Sequence, residues 1–456
     1  MNHLTLDEIL EATGGETLCV DRREFTGLSI DSRTIKEGEL FVALKGGNFD
    51  GHDFLGEALK RGGGAVVAVS PAGPAEGKTL IRVKNTLTAL QKIARHIRSR
   101  MDVPVVGITG TNGKTTTKEL LASILGESGK VLKTQGNMNN HIGLPLSIAN
   151  MRGDETAMVL EMGSNAEGDI RLLCEIARPA LAVVTNVGPA HLEGFGSLET
   201  VRATDLEILD YATSVSANAD DLFLMEGLKK FGGTLVTYGI EKSADMSAED
   251  ILLEEKAACF TLRFKDGRRI GVRLGIPGRV NIYNALAAAS AADVLGIGSG
   301  QIKSGLESFT GVPMRMEIKK LFGALVISDV YNANPASMGE ALRELMRLKK
   351  QRTIAVLGDM LELGRYAEGA HRDLVKMMSA LHVDVFIAVG REMETAASEF
   401  KGICYRADDA AGARSVLLSI CRDGDTVLVK GSRGMQMERV LAEPGTAPIK
   451  GGSHAL

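Results

Sequence analysis

Short apolar runs, each closed by glycine or polar residues, recur along this chain between stretches with helical spacing. Val105-Val106-Gly107-Ile108 reads as a buried strand running into a turn. The pattern returns at 157–160, 181–184, 324–327, 353–357, 385–389 and 426–429. Bounded apolar strands alternating with helices predict parallel sheets covered on both faces, an α/β fold. Helical spacing over 86–98 ends before Ser99-Arg100-Met101-Asp102, and a second break falls at Gly311-Val312-Pro313. Between 238 and 274 helix signals are few and apolar and polar residues alternate, as in Phe260-Thr261-Leu262-Arg263-Phe264, which predicts an antiparallel insertion. The Gly- and Pro-rich end from Pro444 to Leu456 predicts a frayed tail. The expected organisation is three domains: a small α/β unit over 1–100, a parallel-sheet unit over 101–312 and a Rossmann-like unit over 313–456.

Composition narrows the class. A chain of 456 residues exceeds one ordinary core, in line with several domains. Hydrophobic residues at 44% and charged residues at 24% are the balance of a soluble globular protein. A formal net charge of -4 argues against a general binder of nucleic acid or anionic membrane, although a local basic cluster still suits an anionic substrate. No apolar run reaches the roughly 18 residues of a membrane span, and the first residues lack a signal-peptide pattern. A cytoplasmic monomer is expected. The five cysteines are scattered with no CxxC, so small buried thiols are expected rather than a disulfide or metal framework.

The strongest local signal is Gly107-Ile108-Thr109-Gly110-Thr111-Asn112-Gly113-Lys114-Thr115-Thr116, between a strand and a helix. In that context backbone N–H groups and a helix N-terminus wrap phosphates, the lysine neutralises them and the hydroxyl after it meets Mg²⁺. Ile108 stands where the usual phosphate-loop pattern has its first glycine, and glycines occupy 107 and 110 instead. Met158-Val159-Leu160-Glu161-Met162-Gly163 ends a strand in a carboxylate, and beside the loop Glu161 suits Mg²⁺, a hard ion that takes oxygen ligands. His191, in Thr185-Asn186-Val187-Gly188-Pro189-Ala190-His191, suits either a metal or reacting group, or a structural role. The segment Gly136-Asn137-Met138-Asn139-Asn140-His141 is dense in amides and on its own reads as a loop.

Taken in order, these segments resemble the Mur ligases and their relative folylpolyglutamate synthetase. Asp329-Val330-Tyr331-Asn332-Ala333-Asn334-Pro335, Leu357-Gly358-Asp359-Met360-Leu361-Glu362-Leu363-Gly364 and Lys430-Gly431-Ser432-Arg433 resemble the branch that adds D-alanyl-D-alanine. Ser29-Ile30-Asp31-Ser32-Arg33 and Asp50-Gly51-His52-Asp53-Phe54 are similar to the family's uridine-nucleotide-binding domain, which a folate enzyme would lack. The resemblance spans about residues 5 to 442 and implies an ATP-dependent amide-bond ligase. Such an enzyme joins D-alanyl-D-alanine to UDP-N-acetylmuramoyl-tripeptide through an acyl phosphate, in peptidoglycan precursor synthesis and so in cell shape and division. It implies ATP and Mg²⁺ as cofactors. Residue by residue, it implies Lys114, Glu161, His191 and Arg315 in catalysis. Gly110, Thr111, Asn112, Gly113, Lys114, Thr115, Thr116, Asn281, Asn284, Arg315 and Asp329 would hold the nucleotide. Ser32 and Arg33 would meet the uridine nucleotide, and Asn137, Asn139, Asn140, Tyr331, Asn332 and Asn334 the other substrate groups.

Two positions depart from the family. Where it usually carries a lysine that CO₂ carbamylates to support the second Mg²⁺, this chain has Asp205. That arm is shorter by about four bonds of ~1.5 Å, roughly 5 Å of reach along the zigzag of the chain. The expected metal set is Thr115, Glu161, His191 and Asp205, with a solvated helix-surface aspartate as the alternative for the last. The adenine segment commonly reads G-x-H-N, and Val280 replaces its histidine.

Overall fold

The computed structural model describes residues 4–47, 49–69 and 77–442; the expected frayed tail from Pro444 lies outside them. Three sheets of four or more strands follow one another along the chain and share no strand. The first holds Glu16–Cys19, Thr79–Arg82, Gly64–Val67, Leu40–Val42 and Leu28–Ser29 in that spatial order, antiparallel only at the Glu16–Cys19 edge. Its last helix, Thr86–Ser99, starts where the Asn85 side chain accepts the Thr88 N–H at 2.8 Å. Ala89, Leu90, Ile93 and Ala94 recur three and four apart on one buried face, sharing a core with Leu144 and Ile148 of the middle unit. Full burial of a side chain the size of Leu90 or Ile93 contributes about 1.5–3 kcal/mol. The Asn150 side chain also clasps Leu28, accepting its N–H at 2.8 Å and donating to its carbonyl at 2.9 Å.

The middle sheet has nine strands. Val105–Thr109 lies between Leu181–Val184 and Glu155–Glu161, all parallel, with Lys130–Lys133 outside the latter. The chain leaves Val105–Thr109 first toward one side and then returns to the other. The crevice at the carboxyl ends of these strands is therefore a topological switch point. The alternation over 238–274 predicts an antiparallel insertion, and antiparallel strands stand there, built onto the edge of this sheet. Thr234–Gly239 and Met246–Leu253 pair in parallel, and Ala258–Arg263 and Arg269–Leu274 then add antiparallel strands to the edge of the same sheet. Alternation reports one wet face, which a sheet edge shows as readily as a separate unit does.

The third sheet orders Glu317–Leu321, Ala324–Asp329, Thr426–Lys430, Thr353–Gly358, Val385–Val389 and Ile403–Ala407, parallel except at the first pair. All seven apolar runs read from the sequence are strands of the middle and third sheets. The cysteines correct one expectation: only Cys174 is buried, and Cys404 is exposed. The latter lies on Ile403–Ala407, an edge strand of the sheet that pairs with another strand on one side only.

Candidate active site

Two glycines shape the loop after Val105–Thr109. Gly110 and Gly113 take φ of +118° and +84°. A Cβ would stand 2.4 Å from Thr185 Oγ1 at the first and 2.2 Å from Asn284 Oδ1 at the second, so no side chain fits either place. Asn186 clips the loop. Its carbonyl accepts the Thr111 N–H at 2.8 Å, its Oδ1 accepts the Asn112 N–H at 3.0 Å, and its Nδ2 donates to the Asn112 carbonyl at 3.0 Å. No side chain caps the helix that follows, Lys114–Gly126. Its first-turn N–H groups and positive dipole end are therefore available to an anion. Lys114 Nζ donates back to the carbonyls of Gly110 and, at 3.3 Å, Thr111. Burial lowers the Lys114 pKa, opposed by the charges of Asp205 and Glu161.

Two buried carboxylates flank the loop. Glu161 ends its strand beside the loop strand, and Asn139 Nδ2 donates to its Oε1 at 2.8 Å. Its Oε2 is buried with no hydrogen-bond partner, a costly state that a bound cation would relieve. Asp205 ends the helix Leu198–Asp205 and is 3% exposed, which removes the solvated-surface alternative. It accepts from Thr109 Oγ1 at 2.8 Å. Burial pushes its pKa up to about 6, against the charge of Lys114 and the Thr109 hydrogen bond.

Among the described residues no three His, Cys, Asp or Glu side chains gather into a metal cage. Glu161, His191 and Asp205 are spread around the loop instead. That donor set fits Mg²⁺, which keeps waters and phosphate oxygens and needs only one or two carboxylates from the protein. His191, at φ 51°, pairs through Nδ1 with Glu362 of the third unit, itself at φ 65°. The His191 hydrogen bond holds the Glu362 carboxyl below its ordinary pKa.

The third unit reaches the loop with Arg315. Its neighbours Met314 and Met316 take φ of 65° and 48°, left-handed conformations that cost on the order of 1–3 kcal/mol each in non-glycine residues. The guanidinium lies 4.2 Å from the Tyr331 ring centroid and donates to Thr115 Oγ1 at 3.1 Å, while its Nε is buried without a partner. Asn334 caps the helix Pro335–Arg347, and its Nδ2 donates to Asn112 Oδ1 at 2.8 Å. Asp329 is engaged by Lys430 Nζ at 2.6 Å, because parallel pairing puts these two residues in register. Lys430 also donates to the Asn332 carbonyl at 2.8 Å. Asn281 and Asn284 are buried in the helix Arg279–Val294, tied to Pro277 and to each other.

A cleft of about 1170 Å³ lies between the carboxyl ends of the middle and third sheets. Asn137, Asn139, Asn140, Thr116 and Tyr331 line it together with Lys114, Thr115, Glu161, His191, Arg315 and Asn334, whereas Asp205 and Gly110 stand behind its wall. Ser32 and Arg33 do not reach it. Ser32 Oγ donates to Glu57 at 3.1 Å, and exposed Arg33 forks onto Asp31 at 2.9 and 2.7 Å in the first unit. Sequence reasoning assigned no role to Asn186, Lys430 or Glu362, although all three stand inside quoted motifs. Their adjacency to strand ends was the available signal.

The chain matches three family descriptions in order: "Mur ligase family, catalytic domain" over 24–98, "Mur ligase middle domain" over 108–292, and "Mur ligase, glutamate ligase domain" over 314–433. It is 34% identical to the UDP-N-acetylmuramoyl-tripeptide--D-alanyl-D-alanine ligase of Bacillus subtilis (strain 168), covering 98% of this chain and 99% of that one. MurF from Acinetobacter baumannii superposes with a TM-score of 0.90 at 30% identity, covering 97% of this chain and 98% of the other. MurF ligase from Thermotoga maritima, solved in complex with ADP, gives 0.81 at 32% identity over 91% and 96% of the two chains. With its phosphate loop, its successive α/β units and a relative 34% identical over 98% of its length, this chain belongs to the Mur ligase family of ATP-dependent ligases.

Proposed function

We propose that this chain joins D-alanyl-D-alanine to UDP-N-acetylmuramoyl-tripeptide in the cytoplasm, forming ADP and phosphate. The observation that carries the reading is one cleft in which Arg315 and Asn334 of the third unit touch Thr115 and Asn112 of the phosphate loop. The substrate carboxylate attacks the γ-phosphorus of ATP, ADP leaves, and an acyl phosphate forms. The dipeptide amine then attacks the acyl carbon, and phosphate departs from the tetrahedral intermediate. Lys114, the open helix N-terminus and Arg315 spread the charge that builds on the transferring phosphoryl group, the main source of catalysis in such transfers.

Glu161 Oε2 and Thr115 Oγ1 would hold Mg²⁺, which when bound neutralises phosphate oxygens; Asp205 and His191 would support a second ion. The domain limits that suit this work are 1–100 for the uridine nucleotide at Ser32 and Arg33, 101–312 for ATP, and 313–456 for the acceptor. Among the described residues no helix is long and apolar enough to cross a membrane. The test is phosphate release from ATP with the muramoyl-tripeptide nucleotide, with and without D-alanyl-D-alanine. Sustained release only with both co-substrates is expected. Slow release indifferent to the dipeptide would instead identify a nucleotide switch and overturn the ligase reading.

A further inference from the structure

Behind Glu161 stands a lysine that the chemistry above does not use. Lys118, one turn after Lys114 on the same helix, is 0% exposed, an extreme position for an ammonium group. Its Nζ donates to the Thr134 carbonyl at 2.6 Å and lies 3.1 Å from Glu119 Oε1. It stands 3.8 Å from Glu161 Oε2, the oxygen that has no hydrogen-bond partner. That separation is an ion pair but too long for a hydrogen bond. The ammonium therefore compensates the charge of Glu161 and leaves the lone pairs of Oε2 free.

The surroundings sharpen the point. Glu119 has a second cation, Lys133, beside it. Burial works against the Glu119 carboxylate, but Lys133 and Lys118 outweigh it and hold its pKa below the ordinary value. Lys118 is shared between Glu119, which Lys133 also serves, and Glu161, while Lys114 and Arg315 add positive charge on the cleft side. A bare divalent cation approaching Glu161 meets a carboxylate already paired with Lys118, with Lys114 and Arg315 beyond it and Asp205 as the acid that opposes them. A nucleotide with several negative phosphate oxygens reverses that balance.

We infer that Lys118 is a positioning residue that makes occupation of Glu161 by a divalent cation conditional on bound nucleotide. It holds the carboxylate and offsets its charge, so metal enters with the phosphates and not before them. This rests on the reading of Glu161 as the Mg²⁺ ligand.

The experiment is Mn²⁺ binding to the full chain, followed by electron paramagnetic resonance, with and without ADP. Lys118→Met keeps the length and removes the charge. Without nucleotide it should bind Mn²⁺ at least about tenfold more tightly than the wild type, because like charges in a buried site interact strongly. With ADP present the gap should narrow. In the double variant Lys118→Met with Glu161→Gln the gain should vanish. This double variant carries no unbalanced buried charge, so it also shows whether the fold tolerates the loss of Lys118 if the single variant unfolds. In that case Lys118→Gln, which keeps a donor for Thr134, takes its place.

Unchanged Mn²⁺ binding without nucleotide, or a gain that persists alongside Glu161→Gln, overturns the inference about Lys118. If Glu161→Gln alone leaves Mn²⁺ binding to the ADP complex unchanged, the reading of Glu161 as the metal ligand fails instead.

Discussion

Asp205 is a buried acid whose pKa is raised from 3.8 to about 6, first by burial and against the pull of Lys114 and Thr109. In the unfolded chain the same group loses its proton near pH 4. Between those values the folded protein holds the extra proton. Raising the pH through that window therefore removes stability, and the full cost is present above pH 6. A shift of roughly two units, at ~1.36 kcal/mol each, amounts to about 3 kcal/mol. Asp205→Asn carries no such cost, and its Oδ1 still accepts from Thr109. The variant should be more stable than the wild type by up to about 3 kcal/mol at pH 7.5 without ligands, and equal to it near pH 4. Urea unfolding at several pH values measures this. An aspartate kept at such a cost is the mark of a functional group. The same variant should therefore raise the Mg²⁺ concentration needed for half-maximal phosphate release, and wild-type activity should not respond to bicarbonate. An Asp205→Asn protein no more stable than the wild type at pH 7.5 would refute the electrostatic argument. An unchanged Mg²⁺ dependence would remove Asp205 from the metal set.

Lys114→Ala removes the charge at the phosphates and should lower kcat by on the order of 10²-fold, measured by steady-state phosphate release with the fold checked by circular dichroism. Gly113→Ala puts a methyl group 2.2 Å from Asn284 Oδ1 at a φ of +84° and should weaken ADP binding sharply in calorimetry. Asp220 accepts the N–H groups of Ile240, Glu241 and Lys242 at 2.7–3.0 Å and the Tyr283 hydroxyl at 2.8 Å. Asp220→Asn should cost about 1.5–3 kcal/mol in urea unfolding at pH 7. Burial opposes the Asp220 carboxylate, but those hydrogen bonds win and lower its pKa. Its contribution is present above pH ~4, the ordinary carboxylate value, and is lost as the pH falls through the lower folded value, so wild type and variant should converge on acidification.

The seven apolar runs and the phosphate loop were legible in the sequence because their causes are local. A run of buried residues marks a strand covered on both faces wherever its neighbours come from. Gly110 and Gly113 announce backbone turns that other residues cannot make. The resemblance of ordered motifs also named Glu161, Arg315 and Asn334 without any coordinates. The folded chain decided the rest. Periodicity cannot tell that 238–274 continues a sheet rather than starting a new unit, since a wet face looks the same in both. Nothing near Asp205 in the chain says that it is buried against Thr109, which lies 96 positions away. The pairing of Asp329 with Lys430 follows from strand register across 101 residues, and the reach of Arg315 to Thr115 spans 200. Burial, charge compensation and the meeting of two sheet ends are properties of groups distant in sequence. Only the packing of the whole chain brings those groups within the few ångströms over which they act.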